Sequence, residues 1–422
     1  MKRFILIAIL MLPFLRGYSQ ETPSKSDTLR KDAINIFMES SDYIFTESMD
    51  YIHREIPYVN YVRDIRDAGA YIIPTRQGTG SGGYENTFFI VGQHEFAGMR
   101  DTILFVTTPD ETTEGYRQKM VKTLKMGLMR YVAKTPLARY MNISFSEPLS
   151  ETVSTDKWNS WVYSASLNAY TSGQSTYSYG YLFGTLSANR VTEKSKFNSS
   201  LGIDLEKDRT TYLDTTYTST IKDQYGYLSF VKSITGHWSA GASAYIQTSS
   251  YSNYDLSIRI SPGIEYDFFP YSESTRRILT LLYQAGVEIN NYTDETLRFK
   301  TKETVGYHSL SGTLSLIQKW GSVSGMLTWS NYLFDWSYYK LRLNTSANIR
   351  IFKGLSFNIY GSVASVHNQI SLPRGEASLE DVLLRRKMQA TEYQFSTSFG
   401  LTYTFGSIYN NVVNPRFGSS SY

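Results

Sequence analysis

The sequence predicts a chain in two parts: a small α+β domain, then an all-β antiparallel barrel of about 12 strands. The first observation is strict alternation in the last two thirds of the chain, clearest from Tyr338 to Phe352. Successive side chains of a strand point to opposite faces, so this segment has one apolar and one polar face. The apolar set is Leu341, Leu343, Thr345, Ala347, Ile349 and Ile351, and the polar set is Arg342, Asn344, Ser346, Asn348 and Arg350. The second observation is that residues 32–147 lack this pattern and show helical spacing instead.

The N-terminus is predicted to be a secretory signal over residues 1–19, followed by a flexible leader over 20–31. Lys2 and Arg3 supply the positive start, and the apolar run 4–15 is too short to span a bilayer. Small residues at Gly17 and Ser19 fit cleavage before Gln20. A retained membrane anchor is the alternative interpretation of this segment.

Residues 32–147 are predicted to form an α/β domain with its own core, placed in the periplasm. Short strands are expected near 33–38, 70–74, 87–92 and 101–107. One helix, capped by Thr46, should carry Met49, Ile52 and Ile56 and stop at Pro57. A second should begin after 110–113 and end at Pro136, with an apolar residue at every fourth position: Tyr116, Met120, Leu124, Leu128 and Val132.

Residues 155–405 are predicted to form the barrel, apolar outward to lipid and polar inward. Strands are expected near 158–171, 176–190, 196–208, 219–235, 238–249, 254–268, 277–291, 303–319, 321–334, 337–352, 355–369 and 390–405. The connections at 235–237, 319–322 and 352–354 look tight, whereas those at 208–218, 292–302 and 371–389 look long. Short periplasmic turns and long outer loops are usual in outer-membrane barrels, and an even strand number puts both barrel ends in the periplasm. A soluble β-sandwich is the alternative, but its strands would be shorter.

The last predicted strand carries a polar–x–Gly–x–x–aromatic–x–aromatic pattern: Ser398, Gly400, Tyr403 and Phe405. This pattern resembles the C-terminal signal that barrel-assembly machinery reads on bacterial outer-membrane proteins. With the Ser19-Gln20 cleavage site, the layout resembles the outer-membrane β-barrel proteins of Bacteroidota, which are Gram-negative. The resemblance implies outer-membrane residence, lipid contact and dependence on the assembly machinery. The signal usually ends the chain, whereas here a tail over residues 406–422 follows, expected in the lumen or along the periplasmic rim.

Composition limits the kinds of site and partner that the chain can have. The chain has 35 Tyr and 22 Phe, the residues of interfacial aromatic girdles, and no Cys, which excludes disulfides and Cys-based metal sites. The net charge of +4 is spread out, and no basic cluster interleaved with aromatics indicates a nucleic-acid partner.

Six charged residues share the polar parity of their predicted strands and should face the lumen: Arg259, Glu265, Asp267, Glu288, Arg342 and Arg350. They can form a structural ladder of ion pairs that fills the interior. They can also line a selective passage. Because both signs occur, neither cation nor anion selection follows.

No catalytic, metal or cofactor site is predicted. His308-Ser309 and His367-Asn368 are neighbours in strands and therefore point to opposite faces, and His237 lies in a turn. The run Gly78–Gly83 is not followed by the Lys-Ser/Thr pair of a phosphate-binding loop. We expect it to form a hairpin tip, which can contact a peptide or a glycan. His94, Glu95 and Asp101 lack the second histidine that a metal site at this spacing needs.

The predicted function is a non-enzymatic channel, transport or envelope-assembly component whose periplasmic domain binds a protein or polymer. Two alternatives stay open: an outer-membrane hydrolase or acyltransferase with an unrecognised site, and a surface adhesin acting through long outer loops. Residues 379–388 in the longest loop are expected to form either a short amphipathic helix, as a lid or contact surface, or a solvated loop.

Overall fold

The computed structural model describes residues 32–39, 48–80, 82–143, 156–212, 215–270, 273–375 and 387–406. Two separate sheets organise these residues, one of five strands and one of twelve. The predicted signal and leader, almost all of the tail after 405, and most of segment 379–388 lie outside the described residues.

The first sheet, with its helices, forms the N-terminal α/β part. Its strands are β1 Asn35–Met38, β2 Asn60–Tyr61, β3 Ala70–Gly78, β4 Tyr84–Gly92 and β5 Arg100–Thr107, and its helices are α1 Met49–Glu55 and α2 Thr113–Val132. The strand order is β2-β1-β3-β4-β5; β1 runs parallel to β2 and β3, and the other pairs are antiparallel. Both helices and four of the strands match the sequence prediction. The N-cap position of α1 is Ser48, and the predicted cap, Thr46, lies outside the described residues. Strand β2 was not predicted, because two residues carry no periodic pattern.

Helix α2 provides the core of this part. The Thr112 side chain accepts a hydrogen bond from the Gly115 amide at 3.1 Å, so the helix begins with a capped turn. Its apolar stripe is fully buried against β3, β4 and β5: Met120, Leu124, Leu128 and Tyr131 pack with Ile72, Phe88 and Ile90. The Tyr131 hydroxyl donates to the Ile90 carbonyl at 3.1 Å, which satisfies the one polar atom of that stripe.

The second sheet is a meander in which every strand pairs with the next one in sequence. Its strands are β6 Trp161–Gln174, β7 Tyr177–Val191, β8 Ser195–Tyr212, β9 Thr215–Ser233, β10 Trp238–Ser249, β11 Tyr254–Asp267, β12 Arg277–Tyr292, β13 Lys302–Gln318, β14 Gly321–Tyr332, β15 Tyr339–Phe352, β16 Leu355–Val366 and β17 Tyr393–Tyr403. All eleven ladders are antiparallel. The predicted count of twelve strands is confirmed. Strands of 11 to 19 residues exceed the usual length in soluble sheets, about 5–6 residues.

The sheet curls but is not joined edge to edge. Side chains from β9 through β15 line one cavity, so the sheet has a concave face. Among the described residues no ladder connects β6 to β17. Closure into a barrel is therefore not part of the observed pairing.

The two faces differ as the alternation predicts. The convex face carries exposed apolar side chains, among them Leu281, Val287, Ile289, Leu341, Leu343, Phe395, Phe399 and Leu401. Their neighbours at the other parity are polar and line the concave side, for example Ser243, Gln284, Ser309, Thr328 and Ser330. Because the strand period is two, this register places most of the apolar side chains on the convex face.

The predicted loop asymmetry is only partly right. At the end we call the loop end, the connections 293–301, 333–338 and 367–392 are long. The predicted long loop over 208–218 is wrong, because β8 and β9 pair out to Tyr212 opposite Thr215. Apart from Arg209, residues 209–212 and 215–218 are threonine and tyrosine at both parities, so they form strands without the apolar alternation that the prediction relied on. At the opposite, short-turn end, 319–320 and 353–354 are tight, whereas 268–276 is longer.

No helix in the described ranges has both the length and the apolar character needed to cross a membrane.

Candidate functional site

The N-terminal α/β part is tied to the short-turn end of the twelve-stranded sheet by ion pairs. Arg350, at the end of β15, donates to the Glu39 carboxylate at 2.5 Å and lies over the Phe37 ring at 4.6 Å. Lys353, in the next turn, donates to Asp67 at 2.7 Å. Glu39 follows β1 and Asp67 precedes β3, so this part of the small sheet is held against the turn between β15 and β16.

A second set of contacts lies on the other side of the same end. Arg276, just before β12, stacks over the Phe89 ring of β4 at 5.1 Å. The tip of the β3–β4 hairpin reaches the last residue of β7, where a Cβ on Gly80 would collide with Val191. The small sheet therefore stretches across the short-turn end, from β15 and β12 to β7.

The glycine-rich run forms the hairpin tip that the sequence predicts. Gly82 has φ +78°, which favours glycine, and the Thr79 amide donates to the Gly83 carbonyl at 2.9 Å across the turn. The contact with Val191 was not foreseeable, since it joins residues more than a hundred positions apart. The absence of a side chain at Gly80 lets two backbones approach closely.

A cavity of about 630 Å³ separates the two parts beside the ion pairs. His53 of α1 lies on its wall with only 6% of its surface exposed, 4.1 Å from the Tyr61 ring. Burial lowers the pKa of His53, and its Nε2 atom has no hydrogen-bond partner among the described residues. The charged groups that share this cavity are Asp50, Arg63, Asp64, Arg350 and Lys353.

The concave face holds a buried ion pair in the half nearer the loop end. Arg259 of β11 and Glu288 of β12 are direct cross-strand neighbours, with Arg259 Nε donating to Glu288 at 2.9 Å. Glu288 is 1% exposed and also accepts from Asn290 at 2.9 Å and from the Tyr332 hydroxyl at 3.3 Å. The Arg259 guanidinium lies 4.9 Å from the Tyr307 ring centre. The Glu288 carboxylate is thus paired with a cation and hydrogen-bonded at both oxygens, the condition under which a buried carboxylate is tolerated.

A cavity of about 510 Å³ surrounds this ion pair on the concave side. Serine, threonine and tyrosine hydroxyls dominate its wall, with one further cation, Lys340. Its lining residues include Tyr227, Ser243, Tyr245, Ser261, Ser309, Thr328, Ser330, Tyr338 and Asn368.

The first residues of the β16–β17 connection cover this cavity at the loop end. We call residues 367–375 the strap. Ile370 is 2% exposed and packs with Val305, Tyr307 and Tyr332. The strap reaches the β10–β11 and β12–β13 connections. There the Leu297 amide donates to the Leu372 carbonyl at 2.8 Å, and Asn253 donates to the Ser371 carbonyl at 2.8 Å. Arg374 pairs with Glu295 at 2.8 Å.

The six charged residues predicted to face the lumen share the concave parity but do not form one cluster. Arg259 and Glu288 pair with each other. Glu265 and Asp267 lie nearer the short-turn end of β11, and Arg350 binds Glu39 of the N-terminal part. Arg342 stands beside Thr328 of the neighbouring strand, and its Nε atom is buried without a partner among the described residues. Sequence parity missed Lys340, which shares this face at the position two before Arg342.

The residues of the predicted assembly signal occupy β17 and its end. Ser398 and Gly400 share the concave parity, whereas Tyr403 and Phe405 follow the convex parity and stack at 5.7 Å. Arg63 donates to the Phe405 and Gly406 carbonyls at 3.5 and 3.3 Å. Recognition by assembly machinery remains a prediction.

The histidines of the sheet occupy aromatic surroundings. His308 lies on the convex parity, 4.8 Å from the Trp329 ring and 5.3 Å from the Trp336 ring, whereas Ser309 lines the concave cavity. His367 stacks on Tyr339 at 4.7 Å and contacts Ser365 at 3.3 Å. Neither imidazole is hydrogen-bonded to a carboxylate in the part of the chain that the structure describes. The same part contains no group of three or more acidic or histidine side chains placed to hold a metal ion.

Comparison with known proteins gives no family. No protein-family model and no curated protein matches the chain. Among solved structures, NanC porin aligns over 57% of this chain and 99% of its own, with 9% identity and a TM-score of 0.30. CdiB from Acinetobacter baumannii aligns over 79% of this chain and 59% of its own, with 6% identity and a TM-score of 0.27.

Proposed function

We propose that this protein is an outer-membrane β-barrel transport component whose N-terminal α/β domain lies in the periplasm and covers the periplasmic end of the barrel. The observation that carries the proposal is the set of contacts across the short-turn end: Glu39–Arg350, Asp67–Lys353, Phe89–Arg276 and Gly80–Val191. A cover held by ion pairs and close backbone contacts can be released without unfolding the barrel. The passage is therefore closed at rest and opens when the domain moves.

The proposal includes closure of the twelve-stranded sheet in the membrane. Strands β6 and β17 would otherwise leave long rows of backbone N–H and C=O groups unpaired, which is costly in hydrocarbon. The exposed apolar convex face and the polar concave face support the same arrangement.

The domain also offers a surface for a partner on the side that carries α2. A groove of about 670 Å³ runs between α1, α2 and the segment after Pro136. Met126, Tyr140 and Ile143 on its wall are each more than half exposed. Neighbouring apolar side chains exposed on a surface are typical of protein contact sites, and we expect the periplasmic partner to bind there.

The test is electrical recording from the full chain in planar bilayers. Wild-type protein should conduct rarely. Glu39→Gln and Asp67→Asn each remove one ion pair between the domain and the barrel and leave the barrel wall unchanged, so both should raise the open probability several-fold. A partly exposed ion pair contributes up to about 1 kcal/mol, and a loss of about 1 kcal/mol changes an equilibrium about fivefold, which permits an effect of this size.

The matched control is Asp101→Asn, which makes the same charge change in a pair internal to the N-terminal part, Asp101–Arg130 at 2.6 Å. It should leave the current unchanged. A wild-type channel that is open to the same degree as the two variants would refute the covering role. Recovery of the folded chain from cells without detergent would refute the membrane location.

A further inference from the structure

Among the residues that the structure describes, Lys340 is a cation without a counter-ion in the concave cavity. The other two charged groups on the cavity wall, Arg259 and Glu288, neutralise each other at hydrogen-bond distance. No carboxylate among the described residues pairs with Lys340 or Arg342. The described part of the wall therefore carries one positive charge in excess, that of Lys340. Arg342, two residues further along β15, adds a second.

The neighbours of these two cations are hydroxyls. Lys340 stands opposite Ser330 and Arg342 opposite Thr328, and both partners line the cavity. Ser309 and Ser243 add further hydroxyls, and the Ser311 hydroxyl donates to Thr328 at 3.2 Å. Hydroxyls both donate and accept hydrogen bonds, so this wall suits a solute that carries several hydroxyls of its own.

The cavity has the size and enclosure of a ligand site. Its volume of about 510 Å³ falls within the usual range for small molecules, about 300–1,000 Å³. The strap covers it at the loop end, and Tyr307 and Tyr338 also line its wall. An uncompensated charge in such a partly enclosed place is costly, and a bound anion would offset that cost.

We propose that this cavity binds a small polyhydroxylated organic anion. Lys340 binds the acidic group of this anion, Arg342 provides a second cation, and the hydroxyls of the wall bind the hydroxyls of the anion. The inference deepens the proposed transport function, because the site lies on the passage. The acidic group is a carboxylate or a phosphate; the chemistry that the site recognises is one negative charge next to several hydroxyls.

The experiment is isothermal titration calorimetry of the full chain in detergent with gluconate, sorbitol and acetate as probes. Gluconate has both features, sorbitol has the hydroxyls without the charge, and acetate has the charge without the hydroxyls. Gluconate should bind at least about tenfold more tightly than either of the others, a ratio that corresponds to 1.4 kcal/mol. Lys340→Gln should weaken gluconate binding by a similar factor and leave the affinity for sorbitol unchanged.

Lys300→Gln is the matched control, since Lys300 is exposed in the loop 293–301 at the same end and its replacement removes the same charge. Arg342→Gln should weaken binding, and Arg342→Lys should restore it. Heat-modifiable migration of each variant shows that it is folded. Equal affinity for gluconate and sorbitol, equal losses in Lys340→Gln and Lys300→Gln, or no binding by folded wild-type protein would each overturn the proposal. Gluconate binding by a protein that never conducts would refute the proposed transport function without refuting the binding site.

Discussion

A single buried histidine at the contact between the two parts makes the stability of the protein depend on pH. His53 is almost completely buried beside Arg63, Arg350 and Lys353, and burial lowers its pKa below the ordinary value of 6.5. The unfolded chain therefore takes up a proton near pH 6.5, whereas the folded chain takes it up only at lower pH. Stability is greatest above pH 6.5 and falls as the pH drops below it, until the folded-state pKa is reached.

We expect His53→Gln to remove this pH dependence, because glutamine does not titrate. Wild-type protein should show faster hydrogen exchange in α1 at pH 5 than at pH 7, after correction for intrinsic rates, whereas the variant should show little change. Asp50 opposes the effect through its negative charge but is the smaller influence on the pKa of His53. His94→Gln, at an exposed histidine, serves as the control. A variant with the same pH slope as wild type would contradict the assignment.

At the scale of secondary-structure elements, the β3–β4 hairpin helps to fix the position of the N-terminal part on the large sheet. A Cβ on Gly80 would collide with Val191, whereas a Cβ on Gly78 would meet nothing within 4 Å. We expect Gly80→Ala to displace the tip from β7 and to raise hydrogen exchange at the tip and at the end of β7. Gly78→Ala, in the same hairpin, should leave both unchanged. Equal exchange in the two variants would show that the tip is not held by this contact.

Some elements could be predicted from the sequence and others could not. Helix α2 and strands such as β15 follow directly from the spacing of their apolar residues, since periods of 3.6 and 2 reflect how each element buries one face. The pairing of β8 with β9 beyond Asp208 escaped prediction because threonine at both parities hides the period. The six charged residues were placed on one face by parity. Their partners were not predictable, because Glu39 and Arg350 are far apart in sequence and meet only in the fold.

At the scale of the whole molecule, the unjoined edges of the large sheet lead to a test of closure. Leu167 of β6 and Phe399 of β17 both follow the convex parity and are exposed. The chain contains no native cysteine. We expect a cysteine at Leu167 to form a disulfide with one at position 397, 399 or 401 when the protein is in a membrane, because closure brings facing strands about 5 Å apart. A Leu343 and Phe399 cysteine pair, also on the convex face but on β15 and β17, should not crosslink. Failure at every tested position of β17 would argue for an edge that stays open.

The strap has a consequence for events at the cell surface, if the loop end faces outward as proposed. It is anchored to Asn253 and Leu297 on the far side of the sheet, and the same few residues bury Ile370 in the roof of the interior. A molecule that binds these residues from outside and displaces them would therefore also remove Ile370 from its packing with Val305, Tyr307 and Tyr332. Binding at the loop end and access to the interior would then be coupled through the strap alone.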